Sequence, residues 1–172
     1  LENIILPENE KVPLFEEFIK RYGGKKAKSG KLLKISLDFH YKTEQELAKK
    51  ILQYDCEDQF YLCSPYGYQH RHVRKISNNI HLVASNSVRI FTLRTYRKSW
   101  SKYRRHNIEI FNMKAADIQE EWIEEFRRTN TPFYIWDLHD EKRLRNYLPY
   151  NPDGIYTNYP DLAIKIKNEI FS

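Results

Sequence analysis

The chain has 172 residues, 41% of them hydrophobic and 15% aromatic, with a formal net charge of +6. That is enough apolar material for one well-buried domain (1–172 as a single unit) and too little length for two, and it excludes a disordered polypeptide. No apolar run approaches the roughly 20 residues of a membrane-spanning helix, and no leader pattern follows Leu1. A start at Leu rather than Met leaves room for a segment upstream. Cys56 and Cys63 make no disulfide framework and read as buried, reduced thiols, which fits a reducing, cytoplasmic compartment. The positive charge suits an anionic partner such as a phosphate ester, an acidic lipid surface or nucleic acid, and equally suits a soluble protein from a lysine-rich proteome.

Helix and strand signals alternate along the chain. Residues 12–22 form an amphipathic helix with Phe15, Phe18, Ile19 and Tyr22 on one face, ended by Gly23-Gly24. A strand is expected over 32–39. Thr43 with Glu46 three positions on predicts a capping box, and Leu47, Ile51 and Leu52 the apolar stripe of the helix behind it. A strand over 59–63, a helix over 68–77 and a strand over 80–84 come after it. The stretch Arg89 to His106 carries seven Arg or Lys side chains with Tyr96, Trp100 and Tyr103 interleaved. It reads either as a nucleic-acid or anionic-membrane contact, or as a solvated helix or loop whose rings pack inward.

A strand over 108–112 and a helix over 115–128, with Ile118, Trp122, Ile123 and Phe126 on one side, come next. The apolar run Phe133 to Trp136 is too short for a helix and is bounded by Pro132. Asp140 is positioned to cap a short helix. The turn Asn151-Pro152-Asp153-Gly154 leads into a last strand, and Tyr159-Pro160-Asp161 starts a helix with Leu162, Ile166 and Ile170 at four-residue spacing. Six strands separated mostly by helices make a parallel α/β layer, with chemistry expected at the C-terminal strand ends.

The segment from Trp136 to Asp161, a strand ending in Trp and then Asp-Gly-Ile-Tyr-Thr-Asn-Tyr-Pro-Asp, resembles the C-terminal signature of the glycerophosphodiester phosphodiesterases. Val12 to Phe18 is similar to the Ile-Pro-Thr-Leu-Glu-Glu helix of that family. Leu37-Asp38-Phe39-His40 is similar to its Ile-Glu-Ile-Lys strand, and Phe60 to Pro65 to a later strand ending in a Ser-containing turn. The resemblance implies a TIM-type barrel, here partial. A closed barrel of about 250 residues exceeds this chain by about two β-α units, and the missing ones are expected to be the first. The His-Arg-Gly strand, the Glu-x-Asp metal pair and the His-Asp strand end of the family do not occur in this sequence. His70-Arg71 lacks the following Gly and falls in a helical context, so it is no substitute.

The same resemblance implies a chemistry for particular residues. Asp38 stands where a metal-binding carboxylate sits and would serve a divalent cation, Mg²⁺ or Ca²⁺, if further ligands were supplied. His40 replaces the family's Lys and would contact phosphate, charging only partly near neutral pH. Trp136 would line the substrate pocket. The implied ligand is a glycerophosphodiester or another phosphate ester, and both catalytic histidines are missing. Asp137, His139 and Asp140 cluster without the spacing of a metal motif. An incomplete barrel leaves sheet edges exposed, so self-association or a complementing N-terminal segment is expected. A non-catalytic descendant that binds phosphate esters or a partner protein, or a nucleic-acid or acidic-membrane binder through Arg89–His106, are the alternatives.

Overall fold

The computed structural model describes residues 14–39, 42–86 and 93–172. Six strands form one sheet in sequence order, every neighbouring pair parallel. They are β1 (Ile35–Asp38), β2 (Phe60–Ser64), β3 (His81–Asn86), β4 (Ile110–Lys114), β5 (Phe133–Trp136) and β6 (Gly154–Ile155). Helices alternate with them: α1 (Phe15–Tyr22) before β1, then α2 (Glu44–Gln53), α3 (Gly67–Arg74), α4 (Leu93–Arg105), α5 (Glu120–Arg128), α6 (Glu141–Tyr147) and α7 (Pro160–Phe171). The sheet curls into part of a TIM-type barrel. No described helix is long and apolar enough to cross a membrane.

Strand alternation sorts the side chains into two layers. Outward residues such as Ile35, Phe60, Leu62, Leu82, Phe111 and Ile135 join the helices in the main core. Inward residues Tyr61, Cys63, Val83 and Ile110, with Tyr134 beside them, form a second, smaller cluster. Parallel register carries the inward set across the sheet: Ser36 faces Tyr61, Asp38 faces Cys63, Asn112 faces Tyr134, and Lys114 faces Trp136. Gly154 pairs with Tyr134. A Cβ at Gly154 would lie 2.7 Å from that ring, which explains a glycine there without any appeal to an unusual backbone angle.

Several expectations are corrected. The first strand begins at Ile35, because residues before it belong to a loop closed by an antiparallel bridge between Lys26 and Leu32. Thr43 makes no side-chain capping bond; its helical backbone angles place it outside the usual cap geometry. Leu52 is 41% exposed, so the stripe of α2 runs instead through Leu47, Ala48 and Ile51. The helix expected over 115–128 is broken. Ala115–Asp117 is a 3-10 turn, Ile118 is extended, and α5 starts at Glu120.

The basic-aromatic stretch is helical over its described part, and its rings point inward. Tyr96 is fully buried and Trp100 nearly so. Tyr96 packs edge-on against Phe111 at 5.2 Å and Phe126 at 5.5 Å, and its hydroxyl hydrogen-bonds Thr131 Oγ1 at 2.9 Å. Those two rings are therefore unavailable to stack on bases. Arg97 faces the buried Glu125, donating to its carboxylate at 2.9 and 3.0 Å. Arg128 and then Arg97 hold that carboxyl down at about 2. Arg89 lies outside the described residues.

Cys56 and Cys63 are free and buried, as expected. His70, the rejected catalytic candidate, is a core residue 1% exposed, with Nε2 at 3.1 Å from the carbonyl of Val83. Burial pushes its imidazole down to about 4, against the raising effect of that backbone bond. A folded-state pKa below the unfolded value means the unfolded chain takes up the proton first. Stability contributed by neutral His70 is therefore whole above pH ~6.5 and is lost as pH falls towards 4. Urea unfolding should show a loss of about 3 kcal/mol across that window that His70→Gln removes. An unchanged slope in the variant would show that another group is responsible.

Candidate functional site

The C-terminal end of a parallel strand is where the following loop and helix begin, so side chains there face an opening that loops can shape. Asp38 ends β1, Lys114 ends β4 and Trp136 ends β5, and all three occupy the inward face of the sheet. Asp38 and Trp136 thus share the C-terminal edge of the sheet, the end at which the strand pattern places the chemistry. His40 lies outside the described residues. Below this edge, Tyr156 crosses the interior from the end of β6 to β1. Its hydroxyl hydrogen-bonds Ser36 Oγ at 2.9 Å and Cys63 Sγ at 3.5 Å. Residues 120 positions apart thus meet across the curled sheet.

Burial raises the Cys63 thiol and the neighbouring Asp38 carboxylate raises it further, so the sulfur stays protonated and unreactive. Burial likewise pushes the Tyr134 hydroxyl up to about 12 and the Tyr156 hydroxyl above its ordinary value. The interior floor is therefore neutral, and Asp38 and Lys114 supply the charge at its rim.

Trp136 is half-buried, so it is neither a core tryptophan nor a free surface ring. The Lys114 ammonium sits 5.4 Å from its ring centroid. Directly after it, Asp137 adopts φ +71°, a left-handed conformation that costs a non-glycine residue of the order of 1 kcal/mol or more. Its carboxylate lies 3.5 Å from Lys114 Nζ, 3.1 Å from Arg143 Nη1 and 3.5 Å from His139 Nε2. Arg143 also donates to the Asp137 carbonyl at 3.0 Å. Asp140 caps α6 as its position predicts, accepting from the backbone N–H of Arg143 at 2.8 Å. Asp137, Asp140 and His139 thus organise a loop around Arg143 and are not arranged as metal ligands.

The donor set for a divalent cation is incomplete. Among the described residues no three His, Cys, Asp or Glu side chains gather where an ion could be held, and Asp38 is a single carboxylate. A hard cation needs several clustered oxygens, so these residues alone do not fit one. A separate polar cluster sits between α2 and α3. Glu44, nearly buried, accepts from His72 Nδ1 at 2.6 Å and from Gln69 Nε2 at 3.3 Å, while Ser64 bonds Gln69. Burial opposes the Glu44 charge, yet the bonds from His72, the backbone and Gln69 outweigh it and keep the carboxyl below its usual range.

Sequence reasoning missed Lys114 and Tyr156. The available signal for Lys114 was a lysine closing the otherwise buried run Ile-Phe-Asn-Met, since a charge ending such a strand marks its exit from the core. Nothing local in the sequence signalled the Tyr156–Ser36 contact.

No family model matches the chain. A curated glycerophosphodiester phosphodiesterase from Bacillus altitudinis is 30% identical over 59 residues, covering 34% of this chain and 24% of that protein. In fold, a candidate glycerophosphodiester phosphodiesterase from Galdieria sulphuraria superposes with TM-score 0.76 at 14% identity, over 98% of this chain and 68% of that one. A glycerophosphodiester phosphodiesterase from Parabacteroides distasonis gives 0.73 at 15%, over 98% and 69%. A candidate enzyme of the same description from Silicibacter pomeroyi gives 0.73 at 15%, over 93% and 57%. At such identities the superpositions show the fold alone. The chain spans a quarter of the curated relative's length and 57–69% of these three structures.

Proposed function

We propose that this chain, which resembles the glycerophosphodiester phosphodiesterases in a stretch of sequence and in fold, forms the C-terminal part of a phosphodiester-hydrolysing barrel. Its ligand is a glycerophosphodiester, and alone it binds that ligand without cleaving it. The observation carrying this reading is that Asp38 and Trp136 end two strands of one parallel sheet on the same inward face. Trp136 serves as the wall for the glycerol part and His40 as a phosphate contact. Asp38 contributes one carboxylate towards Mg²⁺ or Ca²⁺, the remaining ligands coming from outside these 172 residues. Such a cation supplies Lewis acidity towards phosphoryl oxygen when bound.

The incomplete donor set favours a second reading, in which the same face binds phosphate esters with no hydrolysis in any context. Either reading leaves a sheet with ends to cover. Among the described residues β1 and β6 each have a strand neighbour on one side only. A groove of about 560 Å³ runs beside β6 past Ile155, Ile164 and Phe171. Self-association or a complementing segment would cover it.

Titration calorimetry with glycerophosphocholine tests the binding claim. Trp136→Ala should weaken binding roughly tenfold, in line with the loss of one aromatic wall worth about 1.4 kcal/mol. Equal affinity in the variant, or none in the parent chain, would remove Trp136 from the site.

A further inference from the structure

We infer that Lys114 is the cation that receives the phosphoryl group of the ligand, with Asp137 as the residue that positions it. This deepens the phosphodiester reading and rests on it. Three observations converge on Lys114. It ends β4 in register with Trp136, on the inward face. The other inward residues described at this edge are Asp38, Ser85 and Trp136, so Lys114 is the single cation among them. Lys34, the other lysine near the interior, precedes β1 at the opposite end, 5.0 Å from the Tyr61 ring.

The second observation is that its ammonium is placed but not satisfied. It is held over the Trp136 ring and near Asp137 Oδ2 at 3.5 Å, and it donates no hydrogen bond to any described residue. Its side chain keeps 40% of its exposure. An ammonium has three donors, and with one carboxylate oxygen at 3.5 Å it keeps donors for solvent or a ligand oxygen. Asp137 is not its partner alone, because the same carboxylate meets Arg143 at 3.1 Å through its other oxygen.

The third is the backbone at Asp137. A left-handed aspartate immediately after the strand turns its carboxylate towards Lys114, Arg143 and His139 together. Strain of this kind persists only where surrounding contacts over-determine it, and here they fix the approach of the lysine. Charge supply also favours this assignment. The residue the resemblance assigns to phosphate, His40, is an imidazole, whereas Lys114 offers a compact ammonium, which suits a phosphate oxygen. A phosphate ester of a small polyol would then place its phosphoryl oxygens on Lys114 and its carbon skeleton along Trp136.

The test uses the whole 172-residue chain, with sn-glycerol 3-phosphate and glycerol as paired probes, followed by saturation-transfer NMR and calorimetry. Glycerol 3-phosphate should bind and glycerol should not. Lys114→Met should weaken the phosphate ester at least tenfold, and Lys114→Arg should hold it within about threefold. Asp137→Asn should raise the dissociation constant and leave a weaker dependence on ionic strength, a readout that a purely structural role for Asp137 would not move. If Lys114→Met binds glycerol 3-phosphate as the parent chain does, while Trp136→Ala does not, the lysine assignment fails and the phosphodiester reading survives. If the parent chain binds neither glycerol 3-phosphate nor glycerophosphocholine, both fail together.

Discussion

Arg74→Ala is expected to destabilise the chain by about 2–4 kcal/mol, more than most single changes would. The Arg74 side chain is 9% exposed and ties three separate segments together. Its Nε donates to the carbonyl of His106 at 3.1 Å, Nη1 to Ile80 at 2.5 Å and Ser77 at 3.4 Å, and Nη2 to Asn107 at 2.5 Å. Glu109 lies 3.6 Å away and supplies a counter-charge. These carbonyls belong to the loops that enter β3 and β4, so the guanidinium fixes where both strands begin. Truncation leaves several main-chain acceptors short of a donor, and each buried one costs about 1 kcal/mol or more. Lysine cannot span them, because an ammonium lacks the planar fork. The melting temperature should fall by roughly 5–15 °C in both Arg74→Ala and Arg74→Lys. A loss under about 1 kcal/mol would mean that the loops hold their shape through their own turns.

The terminal β-α units were legible for a local reason. Pro132, the Asn-Pro-Asp-Gly turn and the Pro160 helix start bracket short apolar runs, and β5, α6 and α7 formed where those signals placed them. Asp140 was readable because a cap acts over three residues. The break at Ile118 was not, since an apolar residue at helical spacing looks the same whether it packs from a helix or from an extended link. Thr43 and Glu46 matched a capping pattern, yet Glu44 was drawn inwards by His72 and Gln69, partners 28 and 25 residues away. Tyr96 and Trp100 looked equally suited to bases or to a core, and only the packing of α4 against α5 decides between them.

Of the candidate site, Asp38 and Trp136 were singled out through resemblance and the strand-end rule, and both end strands of the same sheet on its inward face. Lys114 and Arg74 escaped because their roles depend on sheet register and on distant carbonyls, which no local window carries. The edge shared by Asp38, Lys114 and Trp136 is a product of four successive parallel pairings, from β1 to β5, each fixed by the alternation of inward and outward side chains.

The other large expected effect is on catalysis. Phosphodiester cleavage requires a base for the nucleophile, an acid for the leaving alkoxide and charge stabilisation on phosphorus. Each acid-base group typically contributes about 10²–10⁴-fold. The family's two catalytic histidine motifs do not occur in this sequence, and the described residues assemble no three-ligand cation site. These losses need not add independently, but a donor set too small to hold the ion would by itself forgo several kcal/mol of stabilisation. The decisive measurement is glycerol 3-phosphate release from glycerophosphocholine by the 172-residue chain with Mg²⁺, Ca²⁺ or Mn²⁺, beside Asp38→Ala. Release at the uncatalysed background in both proteins is the predicted result. Robust turnover that Asp38→Ala abolishes would contradict it, by showing that these residues already contain a complete active site.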